Sequence, residues 1–110
     1  MKLPNGENAV IAKEKIVRYL LSDAHPKGRH KAAFFSAFGF FAENWEEMEA
    51  ALLDHCTRHD VSEVIQMPGG IHYLITGDLK CPDGRSPVVC VVWRIDGGSE
   101  LPRFITAYPD

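Results

Sequence analysis

The densest set of residues able to do acid–base and phosphate chemistry is His25-Pro-Lys-Gly-Arg-His-Lys31, at the entry to an expected helix. The unpaired backbone N–H groups and the dipole of a helix start favour a phosphate there. A histidine near neutral pKa can take a proton from a ribose hydroxyl, and a nearby lysine can offset charge on a pentacoordinate phosphorus. The plain alternative is a solvated helix start with ordinary surface cations, and on composition alone it is the commoner outcome.

The chain closes on a second candidate, Arg103-Phe-Ile-Thr-Ala-Tyr108. Period two puts Thr106 and Tyr108 on one strand face with Phe104, and Arg103 with Ile105 and Ala107 on the other. Hydroxyls two residues apart could both bond a substrate phosphate, although a β-favouring Thr and an interfacial Tyr are common at any strand end. A third set, His55 and His59, has the i,i+4 spacing of a shared metal on a helix. No HExxH accompanies it, and a polar helix end is the simpler reading, so neither metal nor cofactor is assigned. Phosphate loops, dinucleotide fingerprints and GxSxG elbows are absent.

The elements that must position these residues follow from hydrophobic period. Ile16 with Leu20 and Val17 with Leu21 form one face of a helix over about 12–22, broken before Pro26. A second helix is expected over 29–38, with Phe34, Phe35 and Phe38 inward and Gly39 as a left-handed cap. Asn44 and Glu47 suggest a capping box for a third helix, whose buried stripe is Trp45, Met48, Leu52 and Cys56. Beyond Asp60 the period becomes two. Strands are expected near Val61–Ile65, Ile71–Leu79, Val88–Ile95 and Arg103–Tyr108, joined by turns at Pro68-Gly-Gly70, Pro82-Asp-Gly-Arg85 and Asp96-Gly-Gly-Ser99. Short connections favour antiparallel hairpins. The expected architecture is a single α+β domain spanning 1–110, with three N-terminal helices followed by a four-stranded antiparallel β-meander.

Bulk properties narrow the function classes. The 110 residues suffice for one core, and no apolar run is long enough to cross a bilayer or resemble a secretory leader. Three widely spaced cysteines argue against a disulfide framework and suit a reducing, cytoplasmic setting. The formal charge of −3 counts against nucleic-acid binding, but the charges are segregated. Lys27 to Lys31 holds three cations and a histidine without a carboxylate, whereas Glu43 to Glu49 holds four carboxylates without a cation.

The chain also resembles a known family. The shared pattern covers Asn8-Ala-Val-Ile11, Tyr19-Leu-Leu21, His25-Pro26, Gly28, Lys31-Ala32, Phe35, Gly39-Phe40, Trp93-Arg-Ile95 and Pro102-Arg-Phe-Ile-Thr-Ala-Tyr-Pro109. It is that of a bacterial domain of unassigned function that is similar to the C-terminal toxin tips of filamentous-haemagglutinin-like and contact-dependent-inhibition proteins. Those tips are grouped with the barnase, EndoU, colicin and RelE fold, and many cleave RNA. The resemblance implies that His25, Lys31, Thr106 and Tyr108 match active-site positions, with Arg103 as a phosphate contact. Arg29 and His30 join Arg103 as substrate-binding candidates, His30 ranking lower because related sequences differ there. Cys81-Pro-Asp-Gly84 replaces the family's Gly-Pro at one turn.

Two functions are therefore expected to compete. The first is a metal-independent endoribonuclease that leaves a 2′,3′-cyclic phosphate, with RNA as substrate. The second is a non-catalytic interaction domain that binds a partner encoded nearby. A short, acidic, free-standing chain suits a toxin of a toxin–antitoxin pair, restrained by an antitoxin or immunity protein.

Overall fold

The computed structural model describes residues 1–24 and 29–110, apart from the side chain of Arg29. The helical elements precede the strands. A helical turn α1 (Lys13–Lys15) runs into a π turn (Ile16–Leu20), and α2 (Arg29–Ala37) and α3 (Trp45–Arg58) follow. Four strands, β1 (Glu63–Met67), β2 (Gly70–Asp78), β3 (Val88–Asp96) and β4 (Arg103–Pro109), form one antiparallel sheet in the order β1-β2-β3-β4. The fold is α+β with the expected meander.

The helical half is less regular than its sequence period suggests. Ile16 and Leu20 are both fully buried, as their spacing requires, but the backbone between them is widened: the Leu21 N–H bonds the Ile16 carbonyl at 2.8 Å, an i→i+5 bond. Short 3₁₀ turns precede α1 (Gly6–Asn8) and α3 (Ala42–Asn44). The second of these displaces the expected capping box. Asn44 has φ −115 and ψ 42 and makes no side-chain cap, because the 3₁₀ turn already leads the chain into α3.

The end of α2 follows its sequence closely. Gly39 has φ +99; its N–H bonds the Ser36 carbonyl at 3.0 Å, and the Phe40 N–H bonds that of Phe35 at 3.2 Å. These are the two bonds of a Schellman cap, and the Phe35 and Phe40 rings supply its apolar contact at 6.3 Å. Phe35 is fully buried, while Phe34 and Phe38 are half-buried, so the inward stripe of α2 is narrower than three phenylalanines.

The helices pack on one sheet face. Tyr73, Ile75, Val89, Val91, Trp93, Phe104 and Ala107 meet Ile16, Leu20, Phe35, Met48 and Leu52 in one core. The register pairs Tyr73 with Trp93, Ile75 with Val91 and Val91 with Ala107. β4 departs from strict alternation. A bulge opposite Val92 and Trp93 places both Phe104 and Ala107 in the core, three residues apart. The expected common face for Phe104, Thr106 and Tyr108 is thereby corrected: Thr106 and Tyr108 pair with Val92 and Cys90, away from Phe104.

Two tethers fix helices to sheet. The N-terminal segment lies along the start of β4, where the Val10 N–H bonds the Pro102 carbonyl at 2.9 Å and the Phe104 N–H bonds that of Val10 at 3.0 Å. At the other end of the sheet, α3 is latched to β2. His55 is completely buried and donates from Nε2 to the Gly77 carbonyl at 3.1 Å; His59 Nε2 does the same to Asp78 at 2.9 Å. Gly77 has to be glycine, since a Cβ there would lie 2.5 Å from the His59 ring. Arg58 completes the latch, donating to Asp54 at 2.7 Å and to the Asp78 carboxylate at 3.1 Å. Cys56, Cys81 and Cys90 are free thiols, and among the described residues no helix is long and apolar enough to cross a membrane.

Burial, with the nearby charges of His59 and Arg58, outweighs the Gly77 bond and lowers the His55 pKa from 6.5 to about 4. The unfolded chain therefore binds a proton below pH 6.5 that the fold refuses until about pH 4. Stability is expected to fall on acidification across that window by up to about 3 kcal/mol, measured by urea denaturation at stepped pH, and His55→Gln should flatten the slope. Gly39→Ala is expected to cost at least about 1 kcal/mol, because alanine resists positive φ and the new methyl would meet Pro82 at 3.2 Å. A denaturation midpoint unchanged from wild type would contradict it.

Candidate active site

Lys31 is half-buried on the first turn of α2, and its ammonium donates to the Tyr19 phenol oxygen at 2.7 Å. That oxygen lies 2.8 Å from Thr106 Oγ1 on β4. Since an ammonium can only donate, the phenol oxygen accepts from Lys31, and either hydroxyl can donate in the bond between Tyr19 and Thr106. Three polar side chains from a helix, a π turn and a strand thus form one contiguous chain. The Nζ atoms of Lys31 and Lys15 stand 5.1 and 5.2 Å from the Tyr19 ring centroid, within cation–π range.

The electrostatics of this chain favour proton transfer at Tyr19. Partial burial pushes its phenol pKa up, but the hydrogen bonds with Lys31 and Thr106 and the charges of Lys31 and Lys15 prevail, and the net shift is downward. Tyr108 behaves in the opposite way. It sits across from Cys90, whose side chain, with partial burial and the charges of Asp110 and Glu63, pushes the phenol up to about 12. One tyrosine is tuned toward ionisation and the other held away from it.

The anticipated residues divide accordingly. Lys31 and Thr106 come together through Tyr19. Tyr108 is on the same strand as Thr106, two residues on, and faces Cys90. His30 is exposed on α2. Arg103 is committed to Asp96, donating from Nε at 2.8 Å and from a terminal nitrogen at 3.2 Å, and Asp96 also binds Arg94 at 2.7 Å. His25 lies outside the described residues, as does the side chain of Arg29. His55 and His59 are spent on carbonyls of β2, and among the described residues no three His, Cys, Asp or Glu side chains gather as a metal site.

Tyr19 is the residue that sequence reasoning missed. It belongs to the Tyr19-Leu-Leu21 motif, yet helical period alone treats it as a half-buried flank of the first helix. Its partners are 12 and 87 residues away, so no local spacing could pair them. An overlooked polar row also crosses the sheet, where His72, Arg94 and Arg103 occupy paired positions. Partial burial, followed by the charges of Arg94 and Arg103, lowers the His72 pKa.

No curated protein and no solved structure matches this chain. Residues 2–110 match one family model, and the chain belongs to that family, described as a domain of unknown function, DUF6883.

Proposed function

We propose that this chain is a metal-independent endoribonuclease of the bacterial toxin type, and that the Lys31–Tyr19–Thr106 chain is the phosphate end of its active site. The observation that supports the reading is the 2.7 Å contact of an ammonium with a phenol that is itself 2.8 Å from a hydroxyl. A cation beside an acidified phenol suits a reaction that builds charge on phosphorus and must protonate a leaving oxygen.

In the proposed reaction the ribose 2′-oxygen attacks the adjacent phosphorus. His25 takes the 2′-hydroxyl proton, the bond from phosphorus to the 5′-oxygen breaks, and a 2′,3′-cyclic phosphate remains. The nucleophile comes from the substrate itself, so the step has no need of a metal-bound water. Lys31 offsets charge on the equatorial oxygens, Thr106 orients one of them, and Tyr19 delivers its proton to the departing 5′-oxygen. Tyr108, with its raised pKa, serves as a hydrogen-bonding neighbour and not as the acid. Arg29 and Arg103 are the further substrate contacts, and Arg103 must share itself with Asp96 to act as one.

Purified protein incubated with total RNA in EDTA is expected to give fragments ending in cyclic phosphates. His25→Ala should abolish cleavage, and Tyr19→Phe or Lys31→Gln should slow it about a hundredfold or more while leaving the fold intact by circular dichroism. RNA that stays whole at large protein excess would defeat the reading. A second measurement addresses the site without substrate. Ultraviolet titration is expected to show one tyrosine ionising below the ordinary phenol range, and Lys31→Met should move it upward. A low-range titration untouched by that substitution would remove Lys31 as its cause.

A further inference from the structure

We propose that two adjoining clefts meeting at Phe40 form a docking groove for a basic, amphipathic segment of a partner protein. The first cleft has a volume of about 420 Å³ and lies between the end of the π turn, α2 and the 3₁₀ turn before α3. Its floor includes Leu21, Ala32 and Phe41, and Asp23 and Glu43 line it as well. The second, of about 360 Å³, runs along α3 to the β2–β3 turn, where Pro82 lines it. Phe40, itself buried, lines both, so the two clefts share a wall.

The helix contribution has a definite pattern. Glu47, Ala50, Ala51 and Asp54 line the second cleft and are spaced i, i+3, i+4 and i+7, which makes them one stripe of α3. Ala50 is exposed and small enough to let a partner backbone approach closely, Ala51 is buried beneath it, and a carboxylate stands at each end. Phe41, which lines the first cleft, is 49% exposed, an aromatic that the fold leaves half in water.

Charge identifies the occupant. Among the described residues, Glu43, Glu47, Asp23 and Asp54 line the two clefts against one cation, Lys80. Asp54 is taken by Arg58 at 2.7 Å, but among the described residues Asp23, Glu43 and Glu47 form no ion pair. A lining that mixes apolar side chains with carboxylates suits a helix or strand with leucine-like side chains on one face and Lys or Arg beside them. The same carboxylates repel nucleic acid. The groove thus fits a protein ligand whether or not the chain cleaves RNA, and in a ribonuclease it would seat an inhibitor.

The probe is a synthetic amphipathic helical peptide of leucine, lysine and arginine, with a glutamate-for-cation counterpart as control. Amide NMR titration is expected to shift Phe40, Phe41 and Ala50 with the basic peptide alone. Glu43→Lys with Glu47→Lys should weaken binding about tenfold, and Phe41→Ala should weaken it at unchanged net charge. Glu100→Lys, in the β3–β4 turn, should leave it unaltered. Equal weakening by Glu100→Lys, shifts centred elsewhere, absence of binding, or an oligoribonucleotide shifting the same amides would each overturn the proposal.

Discussion

The structure depends first on how its N-terminal segment is held against its last strand. β4 is an edge strand, and an edge exposes a row of unpaired backbone groups. Val10 occupies part of that row, taking a carbonyl from Pro102 and giving one to Phe104. This short parallel contact starts α1 beside β4, and the π turn that follows carries Tyr19 to within 2.8 Å of Thr106. The Asn5 side chain adds a bond to the Glu100 carbonyl at 2.9 Å; hydrophobic packing alone is non-directional and would not set a phenol at hydrogen-bonding distance from a hydroxyl.

The opposite end of the sheet is secured by different means. There α3 carries its polar residues into the interface, and His55, Arg58 and His59 all bond the Gly77–Asp78 stretch of β2. A buried imidazole is a costly tether unless its donor is satisfied, and the Gly77 carbonyl satisfies it. Directional bonds at both ends, with an apolar core between them, specify one placement of the helices on the sheet. That placement would matter to the proposed site, assembled from three elements, because proton transfer requires closely held positions.

What was legible in the sequence follows the reach of each signal. Period two marked β2 nearly to its ends, since alternation is imposed by the pleat itself, whereas β3 was legible as a continuous apolar, β-branched run, consecutive residues of which are buried. The Gly39 cap was legible because only glycine easily takes its φ. The β4 bulge was not, because an extra residue in one strand is fixed by pairing with its neighbour and leaves a sequence of ordinary strand formers. The Asn44 cap failed for a related reason: the residues before it had already begun to turn. Lys31 and Thr106 could be singled out by type, but Tyr19, which joins them, is paired by tertiary packing alone. His55 was misread as part of a frayed helix end, although i+3 and i+7 from Leu52 and Met48 already placed it beside their buried stripe.

Net charge is a poor guide to this molecule because its charges are sorted by surface. Lys15 and Lys31 gather over the Tyr19 ring, while Asp23, Glu43 and Glu47 line the two clefts, which neither lysine lines. Exposed charges more than a Debye length apart, about 8 Å at physiological salt, are largely screened from one another. On the proposed reading an anionic ligand would meet the cationic end and a cationic one the clefts, whatever the sum over the chain. The excess of carboxylates that seems to argue against a phosphate substrate is better understood as belonging to the second surface.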